Sequence, residues 1–124
     1  MKDQKPVIWM GSSRDDLRDF PDEVRRIMGV ALNDAQNGEE HPDAKALKGF
    51  GGRRVLEVVA DFDKDTWRSV YTVRFAMAIY VLHCFQKKSK RGSETSKHDI
   101  EVIKLRLKAA EAHYRANFGK GTKP

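Results

Sequence analysis

A chain of 124 residues has room for one small hydrophobic core and too little for two. Its 40% hydrophobic and 34% charged residues describe a globular protein with a modest core and exclude a disordered chain. The net charge of +6 favours an anionic partner, and the single cysteine, Cys84, excludes a disulfide framework and a thiolate metal site.

Pro6 to Met10 is a short apolar run ended by Gly11-Ser12-Ser13 and reads as a first strand. Ser12 or Ser13 can cap the next helical turn, with Asp15 and Asp16 near its positive end. Pro21 closes that turn and suits the first position of a second helix. From Asp22 to Gln36 the apolar residues Val24, Ile27, Met28, Ala31, Leu32 and Ala35 recur at three and four. Asn37-Gly38 stops this helix, and the two helices form a hairpin. Glu39 to Gly52 has no periodicity and reads as a loop, basic and free of acids from residue 44 onward.

Arg54 to Ala60 and Thr66 to Arg74 read as two strands joined by the turn Asp61 to Asp65, which sets Glu57 opposite Arg68 and Val55 opposite Val70. A tight connection at Phe75 to Ala78 leads into a last strand from Ile79 to about Gln86. Thr95 or Ser96 caps a final helix whose face is Ile100, Ile103, Leu107, Ala110 and Tyr114, fraying near Asn117. The expected architecture is α+β in a single domain over residues 1–118, with the helical hairpin and the last helix packed on a small curved antiparallel sheet. Residues 119–124 make a basic tail expected to be disordered. No segment approaches the roughly 18 apolar residues of a membrane helix, and no charged leader precedes an apolar stretch. With Cys84 in an apolar run, the reading is a cytoplasmic protein with a buried, inert thiol.

Three cationic clusters can converge: Lys45/Lys48, Arg53/Arg54/Arg68, and His83/Lys87/Lys88/Lys90 with Arg91. The alternative is that each is separately solvated. Asp61, Asp63 and Asp65 alternate like a calcium loop but lack its glycine and distal glutamate, so a hairpin turn explains them. Metal-free RNA cleavage needs groups that move protons and neutralise phosphate charge. Histidine and lysine can do the first, and arginine only the second. His83, Lys87, Lys88 and Arg68 are of these kinds, although a histidine on an apolar strand is by default a core histidine bonded to a backbone carbonyl.

Several strings resemble the phage-derived, HigB-like branch of the RelE/HigB toxin superfamily: Trp9 to Ser13, Leu17 to Pro21, Lys45 to Gly52, Val55 to Glu57, Tyr71 to Val73, and above all Tyr80 to Lys90. The resemblance runs from Val7 to Tyr114. It implies a RelE-like fold and the toxin of a type II toxin–antitoxin pair. Such a toxin is an mRNA endonuclease needing no metal or other cofactor, acting on mRNA at the 70S ribosome and neutralised by a helix-turn-helix antitoxin. Arg68 matches the middle-strand arginine used against the scissile phosphate, Lys87 and Lys88 match the basic end of the last strand, and His83 lies near a catalytic histidine of some relatives. Lys45, Lys48, Arg53, Arg54, Lys90 and Arg91 are then expected to bind RNA. Fold alone does not settle activity. Relatives of the ParE type inhibit DNA gyrase without cutting, and a non-catalytic nucleic-acid-binding phage protein is a further alternative.

Overall fold

The structure, a computed structural model, describes residues 4–87 and 95–119. In chain order the elements are β1 (Val7–Trp9), α1 (Ser13–Arg18), α2 (Asp22–Gln36), β2 (Ala44–Ala46), β3 (Val55–Phe62), β4 (Asp65–Thr72), β5 (Ile79–Lys87) and α3 (Lys97–Phe118). The fold is α+β: a five-stranded mixed sheet in the order β1-β5-β4-β3-β2, with three helices.

Two expectations about the sheet are corrected. It is not wholly antiparallel, because β1 runs parallel to β5, pairing Val7 with Ile79 and Trp9 with Val81. The stretch from Glu39 to Gly52 is not all loop: Ala44–Ala46 adds an edge strand antiparallel to β3, and a 3-10 turn covers Gly51–Arg53. Three residues of Ala-Lys-Ala are too short to show a period, and only pairing with β3 makes them a strand.

The β3–β4 register differs from the expected one by two residues. Glu57 faces Val70, Val59 faces Arg68 and Val55 faces Thr72. The cause is the turn: only Asp63 and Lys64 lie outside the strands, both with left-handed φ (52° and 72°), so the hairpin closes tightly between Phe62 and Asp65. A shift of two keeps every side chain on its expected face, since faces alternate with period two.

Helix boundaries follow local chemistry with small corrections. Pro21, with an extended ψ of 150°, sits before the first residue of α2 rather than within it. Ser12 occupies the cap position of α1, but its hydroxyl donates to Asp16 Oδ2 at 2.7 Å instead of accepting a backbone N–H. Ser96 does cap α3, its Oγ accepting from the Asp99 N–H at 3.1 Å.

The helices take opposite faces of the sheet. On one face α1 and α2 cover Leu56, Val58, Ala60, Tyr71, Ile79, Val81 and Cys84. On the other, Ile103, Leu107, Ala110 and Tyr114 of α3 close over Val55, Val70, Tyr80 and Leu82. β5 lies between the two cores, and its residues Ile79 to Leu82 are fully buried. That is why its sequence is a continuous apolar run instead of an alternating one. Ile103 and Leu107 are also fully buried, each contributing roughly 1.5–3 kcal/mol of hydrophobic stabilisation.

One irregularity in the sheet sets the direction of His83. Val70 of β4 faces His83, yet the next residue, Tyr71, faces Val81, so Leu82 is an extra residue in β5. Strict alternation would send His83 to the α1/α2 side with Val81. The bulge instead leaves both Leu82 and His83 on the α3 side.

Candidate functional site

The register builds a polar row on the α3 face. Lys45, Glu57, Val70 and His83 are cross-strand neighbours in sequence from β2 to β5. The next row holds Val59, Arg68 and Phe85, and the one nearest the hairpin turn holds Asp61, Thr66 and Lys87. Three predicted site residues, Arg68, His83 and Lys87, therefore share one face, joined by Lys45 at its edge.

Arg68 is buried at 2% exposure, which its charge makes costly. Its Nη1 donates to Glu57 Oε1 at 3.2 Å and, at 3.4 Å, to the hydroxyl of Thr95. Thr95 in turn donates to Glu57 Oε2 at 2.6 Å, so the residue just ahead of α3 fastens the pair from above. Glu57 and Arg68 are diagonal rather than direct cross-strand neighbours, within reach because both side chains are long.

His83 occupies a second polar cluster beside the first. Its Nε2 lies 2.8 Å from Asp99 Oδ1, and its ring stacks on Phe85 at 4.5 Å between centroids. Arg106, two turns further along α3, places Nη1 at 3.4 Å from His83 Nδ1 and donates to the Leu82 carbonyl at 3.0 Å. Its Nη2 reaches the Ser12 hydroxyl at 3.3 Å. Burial lowers the His83 pKa below its ordinary 6.5, and the Arg106 charge acts in the same direction, against the opposing pull of Asp99. The ring's partners are a carboxylate and a guanidinium, not the backbone carbonyl expected of a core histidine.

Gly11 belongs to the same corner. It has a φ of 55°, and a Cβ there would come within 2.6 Å of the Arg106 guanidinium. Glycine thus serves both the left-handed turn after β1 and the close passage of that side chain.

The other cations are not gathered here. Lys48, Arg53 and Arg54 are exposed around the far end of β3, on the side of the chain reversal before Val55. Arg54 lines a cavity of about 140 Å³ with Lys5, Glu39, Glu40, Ala35 and Leu56, against α2 and away from His83. Lys88, Lys90, Arg91 and the tail from Lys120 lie outside the described residues. Among the described residues, no group of three or more His, Cys, Asp or Glu is placed to hold a metal ion, and no helix is long and apolar enough to cross a membrane.

Three members of this arrangement carry little signal in the sequence. Asp99 reads as a helix-start acid, Thr95 as an alternative cap, and Arg106 as one more cation on a basic helix. Glu57 is the exception, because the hairpin already pairs it with Arg68.

A family model described as Phage derived protein Gp49-like (DUF891) matches residues 15–108, about three quarters of the chain. No curated protein and no solved structure matches the chain.

Proposed function

Because the chain belongs to the phage-derived Gp49-like family, a family of RelE-like toxin–antitoxin toxins, we propose that it is an mRNA endonuclease that cuts translated messages at the ribosome without a metal. Its proposed partner is a helix-turn-helix antitoxin, and its proposed place of action the cytoplasm. What supports cleavage is one juxtaposition: β4 and β5 set Arg68, His83 and Lys87 on a single face of the sheet.

The proposed reaction needs little more than these groups. The ribose 2′-oxygen attacks the adjacent phosphorus as its proton passes to neutral His83. The bond from phosphorus to the 5′-oxygen breaks, and the Lys87 ammonium gives that oxygen a proton. The products are a 2′,3′-cyclic phosphate and a 5′-hydroxyl end. Arg68, its charge paired with Glu57, anchors the floor of the site, and Lys45 and the basic residues after Lys87 hold the RNA backbone. Lys48, Arg53 and Arg54 are assigned to contacts with RNA outside this cluster.

The test is to map message ends after induction in cells and to assay Arg68→Ala, His83→Ala and Lys87→Ala proteins that retain the wild-type circular dichroism. Cuts within translated messages, weakened by roughly a hundredfold or more in the His83 variant, are expected. Growth arrest with intact messages would refute the nuclease reading.

The burial of Arg68 favours a second reading, in which the Arg68–Glu57–Thr95 cluster is a structural tie and the toxin blocks DNA gyrase without cutting. Inhibition of supercoiling in vitro, with no RNA cleaved, identifies that case.

A further inference from the structure

The two nitrogens of His83 face groups of opposite kind, and this dictates which of them carries the hydrogen. Arginine can only donate, so the ring nitrogen facing Arg106, Nδ1, has to present its lone pair. The hydrogen then sits on Nε2 and is donated to Asp99 Oδ1 at 2.8 Å. Protonating the ring would point an Nδ1–H at a guanidinium that offers no acceptor.

Both partners are themselves held. Asp99 accepts from the Ser96 hydroxyl at 2.7 Å through its other oxygen. Arg106 is tied to the Leu82 carbonyl, supplied by the bulged residue, and to Ser12 in the turn after β1. Phe85 stacks on one side of the ring, and the negative charge of Asp16 on α1 adds a smaller pull toward the imidazolium. Orientation, tautomer and charge state are thus set by α3 and the bulge of β5 acting together.

We propose that Asp99 and Arg106 are positioning residues for His83: Asp99 fixes the ring with its hydrogen on Nε2, and Arg106 holds it neutral, with the Nδ1 lone pair ready to take a proton beside a fixed guanidinium. The use of that lone pair as a base rests on the endonuclease reading. In that use the ribose hydroxyl replaces the long 3.4 Å contact between Arg106 and Nδ1, while Arg106 keeps the Leu82 carbonyl and faces the phosphate. Arg106, rather than the buried Arg68, is then the guanidinium nearest the proton acceptor.

The experiment has two arms on the full chain. Nitrogen-15 NMR of the histidine rings, with His83→Gln to assign the signal, reads the tautomer and titration midpoint of His83. It is applied to wild type, Asp99→Asn, Arg106→Gln and Arg106→Lys. Wild type is expected to show the Nε2–H tautomer at neutral pH. Asp99→Asn removes a carboxylate that favours the imidazolium, so the midpoint falls. Arg106→Gln removes a repelling cation, so it rises, and Arg106→Lys, which keeps the charge, stays near wild type.

The second arm measures kcat/KM for RNA cleavage against pH, where the acid limb is expected to move down in Asp99→Asn and up in Arg106→Gln. A structural role alone would lower activity at every pH without moving the limb. An Nδ1–H tautomer in wild type, or a midpoint unmoved by both Asp99→Asn and Arg106→Gln, overturns the inference even if RNA is cut. If the NMR arm comes out as expected while no protein cuts RNA, the positioned imidazole stands and the endonuclease reading falls.

Discussion

Removing the carboxylate of Glu57 is expected to be among the most destabilising single changes in this protein. Arg68 is 2% exposed and Glu57 8%, and their charges meet at 3.2 Å on the α3 face. In Glu57→Ala the guanidinium stays buried and stays charged, because arginine cannot lose its proton to escape the cost. Thr95 loses its acceptor at the same time. Breaking one side of a buried pair in this way costs roughly 3–5 kcal/mol. By contrast, the pair formed by Arg25 and Asp22 on α2 has side chains 45% and 82% exposed, and Asp22→Asn should change stability by no more than about 1 kcal/mol. Urea unfolding followed by circular dichroism reads both, with the midpoint moving and the slope unchanged. Replacing the pair together, as Glu57→Leu with Arg68→Met, should recover most of the loss, because both charges of the pair leave the interior together. A Glu57→Ala protein within about 1 kcal/mol of wild type would refute the reasoning, since it would mean that the charge of Arg68 is satisfied without the carboxylate.

Three further outcomes are expected. Tyr71 is 1% exposed and its hydroxyl has no hydrogen-bond partner among the described residues, while burial pushes its pKa to about 12; Tyr71→Phe should be neutral or stabilise by up to roughly 1–2 kcal/mol in urea, and a loss above that size would reveal a partner. Cys84 is 1% exposed beside Ser69, with its thiol pushed up to about 12, so at pH 8 a disulfide reagent should label it only as fast as the protein unfolds; labelling at the rate of a small free thiol would contradict its burial. Gly11→Ala puts a side chain at a φ of 55° and against the tip of Arg106, which should cost roughly 1–2 kcal/mol in urea and shift the His83 ring signals; unchanged signals would show that the guanidinium does not rest there.

Much of the architecture was legible because its period is local. The spacing of Val24, Met28, Ala31, Leu32 and Ala35 specifies an amphipathic α2 whatever it packs on, and all five are buried as that spacing requires. The unbroken run Ile79 to Leu82 marks a strand covered on both faces, and the structure supplies a core on each. The pairing of Glu57 with Arg68 also survived a two-residue change of register, because such a shift preserves faces.

What the chain could not show in one dimension is where long-range pairing and bulges send individual side chains. β1 lies parallel to β5 through hydrogen bonds between residues some seventy positions apart, and β2 exists only because β3 offers it an edge. Ser12 and Arg106 meet across 94 positions. The candidate site depends most on the one extra residue at Leu82. By composition His83 is a polar interruption in an apolar strand, and alternation alone would turn it toward α1 and α2. Its face was decided by the accommodation of an extra residue against β4, which turns the ring toward Asp99 and Arg106 of α3. Local sequence determined that a histidine stands at this point of a core strand, and only the packed sheet determined which chemistry it meets.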